Sequence, residues 1–196
     1  SLTATKMELI ADNGTIAWHY ILVSGDETKP AGYDPDHACN MWKTATFTNS
    51  FYYAPGWSQI ADPTIEANGN SYKITLPTAT TDQWQAQVFF NTDMATNAAN
   101  HYDFSATFNS TEDHKSVMVK LYKKGDDNVL YFAETISLKA YEEYAFIKTN
   151  LPGIDMDNVN LVLDFGGKAA GTVVTVSRVV LKEHDCDDGT VIEEPE

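Results

Sequence analysis

The sequence predicts an all-β protein, arranged as a two-sheet antiparallel β-sandwich. From Met41 onward, short runs of strand-forming residues recur between turns such as residues 54–56 (Ala-Pro-Gly) and 68–70 (Asn-Gly-Asn). Many of these runs alternate apolar and polar residues, which is the pattern of strands that bury one face. No stretch shows the spacing of apolar residues that an amphipathic helix requires. Regularly spaced short strands of this kind indicate a sandwich or a barrel, and we expect the sandwich.

Three runs show the alternation most cleanly, in residues 102–108, 117–121 and 159–165. Successive side chains of a strand point to opposite faces of the sheet, so the apolar members of each run share one face. We expect these faces to pack together as the core between the two sheets. The expected core residues are Tyr102, Phe104, Ala106, Phe108, Val117, Val119, Leu121, Val159, Leu161, Leu163 and Phe165.

The run from Asp82 to Asn91 has an unusual polar face. Strict alternation directs one set of side chains into the core, namely Trp84, Ala86, Val88 and Phe90. It directs the other set to the surface, namely Gln85, Gln87, Phe89 and Asn91. Side-chain amides donate and accept hydrogen bonds with sugar hydroxyls, while an aromatic ring offers a surface to the flat C–H face of a pyranose. This strand therefore predicts sugar contact, although a core strand with Gln facing solvent accounts for the pattern equally well.

Turn-rich and acidic stretches divide the chain into three parts. Residues 1–40 hold a leading hairpin, with Asn13-Gly14 in its turn, followed by a loop rich in Gly, Pro and Asp. We expect these residues to pack on the sandwich or to link to it. Residues 41–184 form the predicted sandwich, and residues 185–196 indicate an acidic linker or tail.

The charge of the chain excludes several classes of partner. Its 196 residues include 28 acidic and 13 basic ones, which give a formal net charge of −15. Because this field repels phosphate, nucleic acid and anionic membranes are poor partners. No apolar run approaches the roughly 18 residues of a membrane span, and the amino end lacks a signal layout, so we expect an excised, mature piece without membrane insertion. A neutral polymer or a cation remains as the ligand.

The two cysteines, Cys39 and Cys186, flank the run of predicted strands. They can form a disulfide if the two ends of that run are neighbours in space. Two free thiols fit the sequence equally well, because the sequence carries no Cα separation.

The order of the strand-like segments is similar to that of carbohydrate-binding modules of the family 4, 9 and 22 type. The resemblance covers residues 41–184. It is carried by the segments WQAQ (84–87), YDFSATFN (102–109), SVMVKLY (116–122), LYFAETISL (130–138), YAFIKTNL (144–151), LVLDFGG (161–167) and TVVTVSRVVLKEH (172–184). The resemblance implies a jelly-roll sandwich of the galactose-binding-domain-like kind, found in bacterial polysaccharide-degrading enzymes and surface glycan-binding proteins.

The resemblance also implies a binding site on the concave face of one sheet, where an aromatic side chain and nearby amides on one strand contact the polysaccharide. Carried onto this sequence, it implies Trp84, Gln85 and Gln87, and so places Trp84 beside the amides instead of opposite them. Trp57 follows a Pro-Gly turn that can present it on a loop. For each Trp, burial in the core is the alternative. The complete candidate set is Tyr52, Tyr53, Trp57, Trp84, Gln85, Gln87, Asn91 and Tyr131.

Three acidic turns, at residues 126–128, 155–158 and 185–189, offer oxygen ligands suited to calcium. Solvated turns are the alternative explanation. Many members of the resembled family have an Asp in the last strand that helps to hold a structural calcium, whereas residues 176–179 of this chain read Val-Ser-Arg-Val. A structural calcium is therefore compatible with the sequence but not required by it. The five histidines are scattered and show no zinc-binding spacing.

We expect a non-catalytic module that binds a neutral β-linked polysaccharide, a β-glucan or a xylan, in an extracellular or bacterial cell-surface setting. The expected partners are the polysaccharide and a glycoside hydrolase domain in the same chain or complex. One alternative is a sandwich-type glycoside hydrolase that uses Glu142, Glu143 or Glu183, although a glycosidase needs two carboxylates across the scissile bond and adjacent residues of a strand face opposite ways. The other alternative is a structural or adhesion domain that binds protein.

Overall fold

The computed structural model describes residues 6–12, 15–21 and 32–186, and the chain divides into two compact units, residues 1–31 and 32–196. In the first unit, β1 (Lys6–Asp12) and β2 (Thr15–Ile21) pair as an antiparallel hairpin. The predicted Asn13-Gly14 turn lies outside the described residues. The predicted limits of the three parts of the chain, at residues 40 and 184, stay predictions.

In residues 32–186, the second unit has one short α-helix, α1 (Met41–Thr44), capped by the Asn40 side chain, which accepts a hydrogen bond from Trp42 N. In the ranges given above, no helix has the length and apolar character that a membrane crossing requires. The strands of this unit follow in chain order: β3 (Phe47–Tyr53), β4 (Thr64–Ala67), β5 (Ser71–Thr75), β6 (Ala86–Thr92), β7 (His101–Ser110), β8 (His114–Lys123), β9 (Asp126–Leu138), β10 (Tyr144–Pro152), β11 (Val159–Asp164) and β12 (Val173–Glu183).

These strands form two five-stranded sheets. The front sheet has the order β3-β6-β11-β8-β9, and the back sheet has the order β10-β7-β12-β5-β4. Every neighbouring pair in both sheets is antiparallel. The predicted two-sheet antiparallel β-sandwich is therefore confirmed.

The core lies between the inner faces of the two sheets, as alternation in the sequence predicts. All eleven of the expected core residues in runs 102–108, 117–121 and 159–165 are buried. Phe104 of the back sheet and Phe132 of the front sheet illustrate the contact, with ring centroids 5.2 Å apart. Burial of large apolar side chains on facing sheets is the main stabilising contribution in such a sandwich.

Part of the outer face of the back sheet is covered by the segment of residues 32–45, which we call the strap. Tyr33 N donates to Ser105 Oγ on β7 at 3.0 Å. The buried Asn40 side chain donates to Val179 O at 3.1 Å and accepts from Leu181 N at 3.2 Å, both on β12. The strap therefore buries the outer face of the back sheet around Ser105, whereas Lys73 of β5 and Glu66 of β4 stay exposed at the other edge of that sheet.

Cys39 of the strap and Cys186 after β12 form a disulfide, with their Cα atoms 6.3 Å apart. The two ends of the strand run are therefore neighbours in space, which was the condition for pairing. Of the two states that the sequence left open, the structure contains the disulfide.

Candidate functional site

The central strands of the front sheet form a groove of about 350 Å³ on their outer face. The outer face of β6, β11 and β8 consists of side chains that alternate with their core residues, and the strand register arranges them in three rows, of which the first two and Tyr122 of the third line the groove. The first row is Gln87, Asp164 and Met118; the second is Phe89, Val162 and Lys120; the third is Asn91, Asn160 and Tyr122. Residues directly opposite each other on one face of a sheet lie within contact distance, so each row is a continuous strip of side chains.

The first row pairs an amide with a carboxylate. Gln87 Nε2 donates to Asp164 Oδ1 at 2.8 Å. Asp164 is only 6% exposed, and this burial raises the pKa of its carboxyl group, while the hydrogen bond from Gln87 and the charge of Lys120 act in the opposite direction. The row therefore presents a constrained acceptor beside a primary amide, which suits the hydroxyl groups of a polyol.

The third row joins two amides in a chain of hydrogen bonds. Asn160 Nδ2 donates to Asn91 Oδ1 at 2.8 Å, and Asn91 Nδ2 donates to Ser50 Oγ on β3 at 2.9 Å. Burial raises the pKa of Tyr122, so its hydroxyl is protonated at neutral pH and can donate a hydrogen bond. The amide planes in this row are thereby fixed across three strands of the sheet.

Lys120 and Asp127 form one wall of the groove. Lys120 Nζ lies 3.2 Å from Asp127 Oδ1 and 4.4 Å from the centroid of the Tyr122 ring. The lysine is held by both neighbours, so its ammonium group is a positioned donor at the edge of the second and third rows.

Three aromatic rings lie at the β3 end of the first row and form what we call the ring cluster. Tyr52 is the register partner of Gln87, and its ring centroid lies 6.4 Å from that of Trp84. Trp84 lies 4.8 Å from Trp57, measured between centroids. Trp57 is 77% exposed and Tyr52 is 38% exposed, so the cluster offers aromatic surface to solvent beside the polar rows.

Local backbone geometry explains why Trp57 points outward. The turn Pro55–Trp57 contains Gly56 at φ 67°, and Trp57 itself has φ 70°. A positive φ is rare for a residue with a Cβ. Together these two residues reverse the chain so that the indole ring of Trp57 stands against Trp84 and not in the core.

The structure corrects the alternation predicted for Trp84 and Gln85. Residues Gln83–Gln85 form a 3-10 turn with a capping box to Asp82, and the extended strand begins only at Ala86. The side chain of Gln85 is 1% exposed, and its Oε1 accepts hydrogen bonds from Thr81 N and Asp82 N. Gln85 therefore cannot contact a ligand on the groove, whereas Trp84 lies on the same side as Tyr52. The inward prediction is right for Ala86, Val88 and Phe90 only.

Two further candidates lie away from the groove. Tyr53 follows Tyr52 on β3 and so faces inward; it is fully buried, and its hydroxyl donates to Thr78 O and accepts from Thr78 N. Tyr131 packs against the core, with its ring centroid 6.0 Å from that of Tyr102 and its hydroxyl accepting from Ile154 N. The surface contacts predicted for Tyr53 and Tyr131 are therefore not supported by their positions.

Of the candidate set, the structure brings together Tyr52, Trp57, Trp84, Gln87 and Asn91 along one face. Sequence reasoning missed Asp164, Lys120 and Tyr122 in the same groove. A usable signal existed, because these residues alternate with core positions on β8 and β11 and must therefore face outward. Their placement beside Gln87 and Asn91, however, depends on strand order.

The acidic turns show no arrangement of metal ligands. Asp127 pairs with Lys120, and Asp126 and Asp155 accept backbone hydrogen bonds from Asn128 N and Ala98 N. Within residues 6–12, 15–21 and 32–186, no three His, Cys, Asp or Glu side chains cluster closely enough to hold a metal ion. Most of the third turn, from residue 187 onward, lies outside the described residues. The structural calcium stays a prediction.

The chain matches no protein-family model and no curated protein. Among solved structures it is similar to a CBM4 carbohydrate-binding module, at 19% identity and a TM-score of 0.49, with 69% of this chain and 86% of that chain covered. It is also similar to the second N-terminal cellulose-binding domain from Cellulomonas fimi β-1,4-glucanase C, at 23% identity and a TM-score of 0.43, with 70% and 86% covered. A family 29 carbohydrate-binding module matches at 14% identity and a TM-score of 0.40, with 76% and 99% covered.

These neighbours are the same class of protein that the order of sequence segments resembles. All three identities lie below 25% and all three TM-scores lie below 0.5. The function is therefore inferred from the groove itself.

Proposed function

We propose that this chain is a non-catalytic carbohydrate-binding module whose groove on the front sheet binds a neutral β-linked polysaccharide, a β-glucan or a xylan. The observation that carries this proposal is the combination of fixed amides and a buried carboxylate with exposed aromatic rings on one face. A sugar polymer presents the complementary chemistry, because each residue has equatorial hydroxyls at its edge and apolar C–H groups on its faces. The proposal follows from the side chains that meet on this face.

The polar rows would bind the hydroxyl groups. Gln87 and Asn91 each offer donors and acceptors. Asp164, when it is ionised, offers acceptors only. Because Gln87 and Asn91 are already held by Asp164 and Asn160, little side-chain entropy is lost when a ligand binds. Ordered water would bridge the remaining hydroxyls to the floor of the groove.

The ring cluster would bind the apolar face of a sugar residue. Trp57 is the most exposed of its rings, and its contact with Trp84 restricts the rotamers of both indoles. A residue of the polymer stacked on Trp57 would place its neighbours over Tyr52 and the first polar row, since Tyr52 is the cross-strand partner of Gln87. The cluster and the rows thus act as one continuous surface for a chain of sugars.

The setting that we propose is extracellular or at the bacterial cell surface, together with a glycoside hydrolase domain in the same chain or complex. The Cys39–Cys186 disulfide supports this setting, because disulfides persist in oxidising compartments and are rare in the cytosol. A module without its own catalytic carboxylate pair would serve such an enzyme by holding it on the polymer.

Affinity electrophoresis and calorimetry against β-glucans, xylans and mannans test the proposal. We expect retardation by at least one β-glucan or xylan, with affinity near micromolar or weaker, because an open groove buries little area per contact. Replacement of Trp57 or Trp84 by Ala should remove most of this binding. Tyr141→Ala is the matched control, since Tyr141 is 76% exposed and belongs neither to the groove nor to the ring cluster.

Two outcomes would reject the proposal. One is that no polysaccharide in the panel retards the wild-type protein. The other is that the Trp57 and Trp84 variants bind as tightly as Tyr141→Ala while all three variants keep the melting temperature of the wild type.

A further inference from the structure

A second pocket, which we call the end pocket, lies where β8 begins and β11 ends, beyond the first row of the groove. Its volume is about 260 Å³, and its lining comes from Thr81, Gln83 and residues 113–116 and 166–168. At about 30 Å³ per water molecule, this space holds several waters or one substituent of a sugar ring. Gln83 Nε2 donates to Ser116 Oγ at 2.9 Å, and Ser116 lies two residues before Met118 of the first row. The end pocket therefore continues the groove along the same outer face.

A buried histidine without a partner lines the end pocket. His114 is 1% exposed, and among the described residues neither of its ring nitrogens has a hydrogen-bond partner. Burial and the nearby charge of Lys168 lower the pKa of His114 to about 4, so the ring is neutral at pH 7 and carries one N–H donor and one acceptor. Buried polar side-chain atoms are in the large majority satisfied, so His114 is an exception, and its neutral ring lies directly behind the surface of the pocket.

The charge of the end pocket is opposite to that of the whole chain. Lys115 and Lys168 both line it, and Lys168 Nζ donates to Asp113 O at its rim. Asp113 is the only acidic residue in the described lining, and its carboxylate already accepts from Lys139 Nζ and Ala140 N, each at 2.9 Å. Two ammonium groups thus face one carboxylate that is paired outside the pocket, within a chain whose net charge is −15.

The remaining polar groups of the lining are also suited to an acceptor-rich ligand. The Ser116 oxygen accepts from Gln83, which leaves the Ser116 hydroxyl proton available to a ligand. Lys115, Lys168 and the Ser116 hydroxyl are donors that the side chains of this lining offer. Charge-assisted hydrogen bonds from ammonium to a carboxylate or sulfate oxygen are stronger than those between neutral groups.

We propose that the end pocket binds an anionic substituent, a carboxylate or a sulfate ester, carried by a sugar residue next to the stretch of polysaccharide in the groove. This inference rests on the proposed function, which it extends from a neutral backbone to a backbone with acidic decoration. The polymer backbone lies on the rows and the ring cluster, and the substituent enters between Lys115 and Lys168.

Calorimetry with three matched xylo-oligosaccharides tests this inference: one unsubstituted, one with a single glucuronate branch and one with a single sulfate ester. The same three should be prepared on a β-glucan oligosaccharide if the neutral panel shows that backbone to be preferred. We expect an anionic form to bind about tenfold more tightly than the neutral form, the gain expected of one well-formed charged contact. The gain should shrink as salt rises, because exposed charges are screened. The preference for glucuronate or for sulfate identifies the group.

Charge-neutralising variants assign the effect to the pocket. K115Q and the double variant K115Q/K168Q should bind the neutral oligosaccharide as the wild type does and lose most of the gain for the anionic one. Lys124→Gln is the matched control, because Lys124 is exposed and does not line the pocket. Since Lys168 contacts the backbone of Asp113, K115Q keeps the test decisive if the double variant does not fold.

The outcomes separate this inference from the proposed function. Equal affinity for neutral and anionic forms, or a gain that K115Q leaves unchanged in a folded protein, would overturn the end pocket while leaving neutral-glycan binding in place. A failure of all oligosaccharides and polysaccharides to bind would reject the proposed function itself.

Discussion

Removal of the Cys39–Cys186 disulfide should lower the free energy of unfolding by a predictable amount. The two cysteines are separated by 147 residues along the sequence. In the chain-entropy relation, a loop of this length restricts the unfolded chain by about 17 cal/mol/K, which corresponds to about 5 kcal/mol at 25 °C. Because measured effects commonly fall between about 2 and 4 kcal/mol, we expect a loss of about 2 to 5 kcal/mol for C39S/C186S.

Urea unfolding followed by tryptophan fluorescence measures this loss. With a slope of roughly 2 kcal/mol per molar urea for a domain of this size, the midpoint should fall by about 1 to 2.5 M. A reducing agent should shift the wild type to the same midpoint and leave the double variant unchanged. Polysaccharide affinity should persist in buffer, because the disulfide ties the strap to the back sheet while the groove lies on the front sheet.

A midpoint shift below about 0.5 M at an unchanged slope would refute this reasoning, since it would correspond to less than about 1 kcal/mol. A changed slope would mean that the variant alters the compactness of one state, and calorimetric unfolding would then supply the comparison.

Three further substitutions probe single groups. Asp164→Asn should lower polysaccharide affinity at pH 7. It should also remove the loss of affinity that we expect of the wild type as acid protonates this carboxyl group, whose pKa is raised by burial. Calorimetry from pH 4 to 8 checks this, and a wild-type affinity that does not change with pH contradicts it. His114→Phe should flatten the pH dependence of stability between about pH 4 and 6.5, because in the wild type only the unfolded state binds a proton at this residue in that range. The free energy of unfolding of the wild type should therefore fall by about 3 kcal/mol as pH drops through the range, and urea midpoints at each pH measure this change. Asp103→Asn should destabilise the fold by about 3 to 5 kcal/mol at pH 7, because Lys182 Nζ, 3.1 Å from this buried carboxylate, loses its counter-ion; equal midpoints for the variant and the wild type would contradict it.

The surroundings of Asp103 determine whether its contribution to stability rises or falls with pH. Burial raises the pKa of Asp103, but hydrogen bonds from Asn150 N, His184 and Lys182 outweigh it, so the pKa lies below its ordinary value. Its contribution to stability is therefore present above the pKa of the unfolded chain, about 3.9, and is lost as pH falls through the lower pKa of the folded state. The Asn variant has no such loss, so the two stability curves should converge in acid.

Alternation in the sequence was sufficient to predict the sandwich and its core. An inward-facing position on a sandwich strand has to be apolar, so the fold imposes the apolar pattern at Phe104, Val119 and Leu161. That pattern can be recognised in the sequence before the structure is known. The strap was harder to predict, because polar residues such as Ser105 on the outer face of the back sheet look solvent-facing until Tyr33 is known to cover them.

The error at Trp84 and Gln85 has a local cause. Asp82 and Gln85 are three residues apart, the spacing of a capping box, and the turn that they form shifts Gln85 inward and Trp84 outward. Strict alternation assumed that the strand already began at Asp82. The capping signal was present in the sequence and would have corrected the assignment of these two residues.

The polar rows could not be predicted from the sequence. Gln87 and Asp164 are 77 residues apart and meet only because β6 and β11 are neighbours in the front sheet. Nothing local to either segment specifies that pairing, since either strand could satisfy its backbone hydrogen bonds with another partner.

The strap has a consequence for valency. Because the strap covers the outer face of the back sheet around Ser105, the proposed glycan surface of each sandwich lies on one side only, on the front sheet. A single copy would then engage one polymer strand and could not cross-link two. Tighter retention on an insoluble wall would have to come from several copies held on one scaffold, where avidity rises with effective concentration and without any new contact in the groove.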